Sequence, residues 1–314
     1  MVSYQSRERA RLIEYAQKQW QLESHILPCA LAAETLHDTV RETALAYFHT
    51  HKIRWWTSPQ DVDRPKPHGD QVERPTGHLN SSQVACVNHL EPARVDHDLA
   101  RQIVRSFDEA FVDVRPVEDD GFVAYEWIGA ENYLGEPGPR RRGANITSLD
   151  ALLCAERRDQ TRVLIVIEWK YLERYGPESV ATSARGTDRV ATYQPLLDAA
   201  ECPIKHGEHR RLFVEPYYQL MRQTLLAWQV AEHNEHGASA WLHVHVVPES
   251  NVALRSGGRG AIGLDGDTME EKWRSVLKRP ERYLLVTPTQ LLAGVGTAGG
   301  WSGWRQWLHE RYLT

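Results

Sequence analysis

The tightest constraint on this chain is the run at residues 163–170. Val163, Leu164, Ile165, Val166 and Ile167 are five consecutive apolar residues, and Glu168, Trp169 and Lys170 follow at once. A run this short and this rich in β-branched residues reads as a strand buried on both faces of a sheet. Side chains alternate along a strand, so Glu168 and Lys170 point the same way at its end. A charge there needs partners, because burying it alone is costly. Asp150 lies upstream with 17 residues between it and Glu168, enough for a second strand, a turn and a return. The spacing predicts that Asp150 faces the same place.

Two carboxylates beside an ammonium form a chemically useful set. Carboxylate oxygens suit a hard divalent cation such as Mg²⁺, which keeps several of its waters. Such an ion polarises phosphoryl oxygens and acidifies bound water. The tripeptide itself carries little information, since an acidic residue two before a lysine occurs twice, at Glu168–Lys170 and at Glu270–Lys272. The second lies in a polar stretch at 267–274 that reads as a helix face with no apolar strand before it. Only the first has the buried run, the upstream aspartate and the strand-turn-strand spacing.

Asp150 followed by Glu168-x-Lys170 resembles the PD-(D/E)xK phosphodiesterase superfamily. Residues 142–151 together with 168–171 are similar to a bacterial restriction-endonuclease branch of it. Leu149 stands where the superfamily's name has proline. The resemblance implies an α/β fold with a restriction-endonuclease-like αβββαβ core, a central mixed sheet flanked by helices, here with a helical N-terminal extension. It implies a Mg²⁺-dependent endonuclease, with Mn²⁺ as a substitute ion, acting on DNA in restriction or anti-phage defence. RNA stays open as a substrate, and double-strand cutting by paired sites would call for a homodimer. Asp150, Glu168 and the main-chain carbonyl of Trp169 would hold the metal, and Lys170 would orient the attacking water or help deprotonate it. An extra upstream carboxylate sometimes joins such sites; Glu126, Glu131 and Glu136 all qualify by position. Gln219-x-x-x-Gln223 resembles a Q-x-x-x-Y helix of related nucleases, with Gln223 in place of tyrosine, and would put Gln219 in the catalytic group. A Ser-Ser-Gln…Asn segment typical of the branch would bring Gln83 and Asn88 to the cleft. The alternative is a non-catalytic module that binds nucleic acid or a protein partner on the same fold.

Composition limits the setting. The net charge is −5, so no global basic field recruits nucleic acid. A local patch can still do so, and Arg140, Arg141 and Arg142, in the loop at 135–145, suit a phosphate backbone. Gln83 and Gln223 are further candidate contacts, and Arg185 and Arg189 could reach phosphates. Cys29, Cys86, Cys154 and Cys202 are too scattered for a zinc knuckle or a disulfide framework, which fits a reducing cytoplasm. No signal-peptide pattern opens the chain, and no apolar run approaches the roughly 20 residues of a membrane span.

Along the chain, helices are predicted at 4–20 and 37–51 and a proline-rich linker at 57–77, dividing a helical extension and linker (1–77) from a nuclease core (78–314). A helix opens in Asn80-Ser81-Ser82-Gln83, with Ser or Asn as its cap, and closes at Asn88 and His89, and another spans 96–111. Strands follow at 122–128, 146–153, 162–170, 240–247 and 283–286, with helices around 190–199, at 216–231 and at 301–312. His243-x-His245 puts two imidazoles on one strand face, but a zinc site wants three or four ligands and no neighbour completes it. Gly294-x-Gly296-x-x-Gly299 follows no strand and opens no long helix, so it reads as a turn rather than a dinucleotide loop. No GxxxxGK[ST] or GxSxG pattern occurs.

Overall fold

The computed structural model describes residues 3–20, 35–53, 79–143, 146–183, 186–207, 209–257, 263–296 and 300–312. The linker predicted at 57–77, Cys29 and Arg185 lie outside them, as do residues 297–299 of the glycine pattern. Six strands form one mixed sheet: β1 (Phe111–Arg115), β2 (Ala124–Trp127), β3 (Leu149–Arg157), β4 (Arg162–Trp169), β5 (Ala240–Val246) and β6 (Tyr283–Val286). β3 and β4 are an antiparallel hairpin at its centre. β5 and then β6 continue parallel to β4. β1 and β2 share the far edge of β3, one on each half of its length. The αβββαβ expectation is met in this mixed sheet. β1 was not expected: its first residue, Phe111, falls at the end of the helix predicted over 96–111, but that helix ends at Phe107.

On one face lie α1 (Tyr4–Trp20), α2 (Asp38–Thr50), α3 (Ser82–Val95) and α4 (His97–Phe107), with a late C-terminal helix. On the other lie α5 (Arg189–Leu197), α6 (Tyr217–Glu232) and a later helix at Met269–Val276. In chain order the remaining helices are the one-turn α7 (Val252–Arg255), then α8 (Met269–Val276), the one-turn α9 (Pro288–Leu291) and α10 (Ser302–Tyr312). β4 is buried on both sides, as its composition requires. Val163, Ile165, Ile167 and Trp169 join the α3 side and Leu164 and Val166 the α6 side, all at 3% exposure or less. Burying side chains of this size is worth about 1.5–3 kcal/mol each. By the same alternation Glu168 and Lys170 emerge toward α6.

α3 does not close at Asn88. It continues to Val95 through Pro92, which has no N–H for the Asn88 carbonyl one turn back. The Trp304 indole of α10 donates to that carbonyl at 2.7 Å instead, so the helix survives its proline. The Asn88 side chain faces away from the cleft: it accepts from the His37 N–H and donates to the Thr35 carbonyl and the Tyr312 hydroxyl. It ties the start of α2 to α10. α1 is held nearby, with Arg11 bonding carbonyls of α10 and Glu8 accepting from the Tyr171 hydroxyl just beyond β4.

Glu91, on the buried side of α3, is 1% exposed. Burial pushes its pKa up to about 7, against the pull of Thr43, Arg94 and Tyr125. The folded state therefore holds a proton that the unfolded chain releases near 4.5. Stability is lost as pH rises through that window, and the loss is complete above about pH 7. Glu91→Gln is expected to match wild type below pH 4.5 and to exceed it by about 3 kcal/mol at pH 8, read from denaturant unfolding at both pH values.

Candidate active site

The sheet register gathers the acidic residues. Along β2 and β3, Tyr125 pairs with Ala151 and Trp127 with Leu149, so Glu126 falls across from Asp150. Along β3 and β4, Ala151 pairs with Ile167, and the next step sets Asp150 across from Glu168. On β5, Glu168 pairs with His245. Glu126, Asp150, Glu168 and His245 thus form one row across four neighbouring strands. Glu126 departs from strand geometry, with φ at +49°, a conformation that costs a non-glycine residue about 1–2 kcal/mol. Two bonds hold it there: Gln83 of α3 donates at 3.0 Å and the Ser148 hydroxyl at 2.7 Å.

Each remaining charge is held from a different element. Asp150 accepts the Trp169 N–H at 2.7 Å, which fastens the start of β3 to the end of β4. Glu168, 1% exposed, forms an ion pair with Lys170 and takes a bond from the Gln223 amide of α6. The same amide reaches the Ser148 carbonyl at 3.3 Å. One turn earlier on α6, Gln219 accepts from the Lys170 ammonium at 2.7 Å, with the Tyr175 hydroxyl at 3.4 Å. Gln219 and Gln223 are four apart on one helix face, so a single helix orients both the lysine and the glutamate.

The electrostatics are crowded. Burial raises the Asp150 pKa well above the usual carboxylate range, and the charges of Glu168 and Glu126 add to it. Burial likewise raises Glu126, against its bonds from Ser148 and Gln83. For Lys170, burial opposes the charge, but Glu168 outweighs it and the pKa rises well above normal. The pairing with Glu168 thus favours the ammonium form of Lys170. Among the described residues no group of three or more His, Cys, Asp or Glu side chains is arranged to hold a metal ion. A cation at the row would draw on Asp150 and Glu168, with further donors from the main chain and water. Carboxylate oxygens are the donors a hard divalent ion takes, and Mg²⁺ is commonly bound through one or two of them.

The other expected residues go to several places. Of the three upstream acids, Glu126 joins the row; Glu131 is exposed, and Glu136 is buried in a separate group with Thr147 and Tyr193. Arg142 turns inward, paired to both oxygens of Glu118 at 2.6 Å and lying over Trp127. Arg140 donates to the carbonyls of Ile128, Gly129 and Ala130. Arg141 alone of the three is exposed with no hydrogen bond or ion pair among the described residues. Gln83 and Gln223 are buried against carboxylates rather than presented to a nucleic-acid surface. The Trp169 ring packs beside His89 under α3. His243 bonds Thr224 and His245 bonds Tyr283, and burial pushes the former's pKa down to about 3. Glu270 pairs with Arg274 along α8, away from the row. Ser148 and Tyr175 enter the site unannounced; only their contacts reveal them.

Residues 24–313 match the family described as Restriction Endonuclease associating with ARP. The chain belongs to that family. The match runs from α2 through α10 and includes the whole carboxylate row, and it ties the chain to restriction endonucleases. Neither the curated proteins nor the solved structures hold a significant match. No helix among the described residues is long and apolar enough to cross a membrane.

Within this restriction-endonuclease family member, the crowding at the row has a cost to folding that neutralising its middle residue should relieve. Asp150→Asn keeps an oxygen for the Trp169 N–H and removes one charge. In chelator, its thermal midpoint is expected a few degrees above wild type, measured by calorimetry; an equal or lower midpoint would mean that the three carboxylates do not strain one another.

Proposed function

We propose that the protein is a Mg²⁺-dependent endonuclease that hydrolyses phosphodiester bonds in DNA, with Mn²⁺ as a substitute ion, in a restriction or anti-phage role in the cytoplasm. What supports the reading is the Glu126–Asp150–Glu168 row with Lys170 on the same side, in a chain of a restriction-endonuclease family. Asp150 and Glu168 would hold the ion with the main-chain carbonyl of Trp169, and Glu126 stands next in the row. When bound, the ion polarises the phosphoryl group and acidifies a water.

The rest of the chemistry belongs to side chains. Lys170 offers N–H donors and positive charge to the phosphate and orients the attacking water or helps deprotonate it. Gln219 fixes the ammonium in place. Gln223 and Ser148 brace Glu168 and Glu126, so that neither carboxylate needs to reorganise when substrate arrives. Removing a preorganised charge of this kind costs roughly 10²–10³ in rate.

The assay is conversion of supercoiled plasmid to nicked and linear forms with Mg²⁺ or Mn²⁺, with chelator as control. Asp150→Asn and Lys170→Ala, each verified as folded by circular dichroism, should lose cleavage by roughly 10²–10³. Full cleavage by both variants, or an inert wild type with either ion, contradicts the reading. The inert case leaves a module that binds without chemistry.

A further inference from the structure

Arg222 sits on α6 between Gln219 and Gln223, and the catalytic scheme gives it no task. Its side chain is 21% exposed, and the carboxylate of Glu136 stands 3.8 Å away. That carboxylate already accepts from the Thr147 N–H at 2.7 Å, from the Thr147 hydroxyl and from Tyr193. Arg222 itself donates to the Thr147 hydroxyl at 3.3 Å, while its Nε is buried with no partner. Glu215, the other acid nearby, also neighbours Lys170. The Arg222 guanidinium stacks on the Tyr218 ring at 4.7 Å. Arg189, at the start of α5, lies over the same ring at 5.3 Å and donates to the Val180 carbonyl at 3.0 Å.

Two guanidiniums thus share one phenol ring on the helix that carries Gln219; Arg222 pairs only loosely with Glu136, and Arg189 has no ion pair among the described residues. Because Thr147 and Tyr193 take up the Glu136 carboxylate, its ion pair with Arg222 is a loose one at 3.8 Å with no hydrogen bond. Arginines held over an aromatic ring, with donors left over, suit a phosphate. We propose that Arg222 and Arg189, stacked on Tyr218, bind a backbone phosphate of the nucleic acid adjacent to the one positioned at the carboxylate row. The identity of that phosphate rests on the nuclease reading; the anion site itself does not.

The test is fluorescence anisotropy of a labelled duplex oligonucleotide across a salt series, with Ca²⁺ replacing Mg²⁺ so that nothing is cut. Arg222→Gln is expected to weaken binding roughly tenfold and to lower the slope of log affinity against log salt by about one. Because Arg222 also touches Thr147, Arg189→Gln serves as the second variant, with the same change of slope and an unaltered thermal midpoint. Wild-type affinity and slope in both variants, or no duplex binding by wild type, overturns the proposal. The two readings fail separately. Plasmid cutting with unchanged slopes sinks only the phosphate site, whereas reduced slopes in a protein that never cuts sink only the nuclease.

Discussion

Mutual repulsion among buried carboxylates is the constraint around which this molecule is arranged. β4 must be apolar on both sides to sit at the centre of the sheet, and the two charges at its end have no solvent to escape into. The structure answers with contacts to each carboxylate from separate elements: Lys170 and Gln223 on Glu168, the Trp169 N–H on Asp150, Gln83 and Ser148 on Glu126. Lys170 offsets one of the three carboxylates, and burial pushes the pKa values of Asp150 and Glu126 up. Three buried carboxylates in one row are costly to keep for packing alone, which is why the proposed function is placed there.

The helical layers serve that row. α6 is placed by β5 returning parallel to β4, and its two glutamines follow from a four-residue spacing. On the opposite face α3 delivers Gln83, and α3 is itself locked by α10 through the Trp304 indole and the Asn88 side chain. The C-terminal helix is thereby bonded to the helix that carries a residue touching Glu126, although it lies far from it in sequence. Changes at Trp304 or Asn88 would reach the site through this route.

The sequence made some of this legible and concealed the rest for physical reasons. The β3–β4 hairpin, the common side of Glu168 and Lys170 and the approach of Asp150 follow from local alternation and loop length. The choice of Glu126 over Glu131 and Glu136 does not, because it depends on register with a neighbouring strand and on a left-handed backbone that no local pattern announces. Arg140, Arg141 and Arg142 look alike in sequence, yet a carboxylate at Glu118 and three free carbonyls draw two of them inward. Asn88 reads as the end of a helix and a cleft residue; the Trp304 indole on its carbonyl carries the helix on, and His37, Thr35 and Tyr312 hold its side chain away from the cleft. The strand β1 was hidden because its apolar residues continue the helical spacing of α4.

The central claim is that Asp150 and Glu168 belong to one site for a hard divalent ion. Anomalous diffraction from crystals soaked in Mn²⁺ tests it most directly. The account predicts a single strong peak about 2.0–2.5 Å from an oxygen of each carboxylate, with Lys170 beside it. Mn²⁺ bound elsewhere, or no peak at the row with both carboxylates held as they are in the metal-free protein, would contradict it.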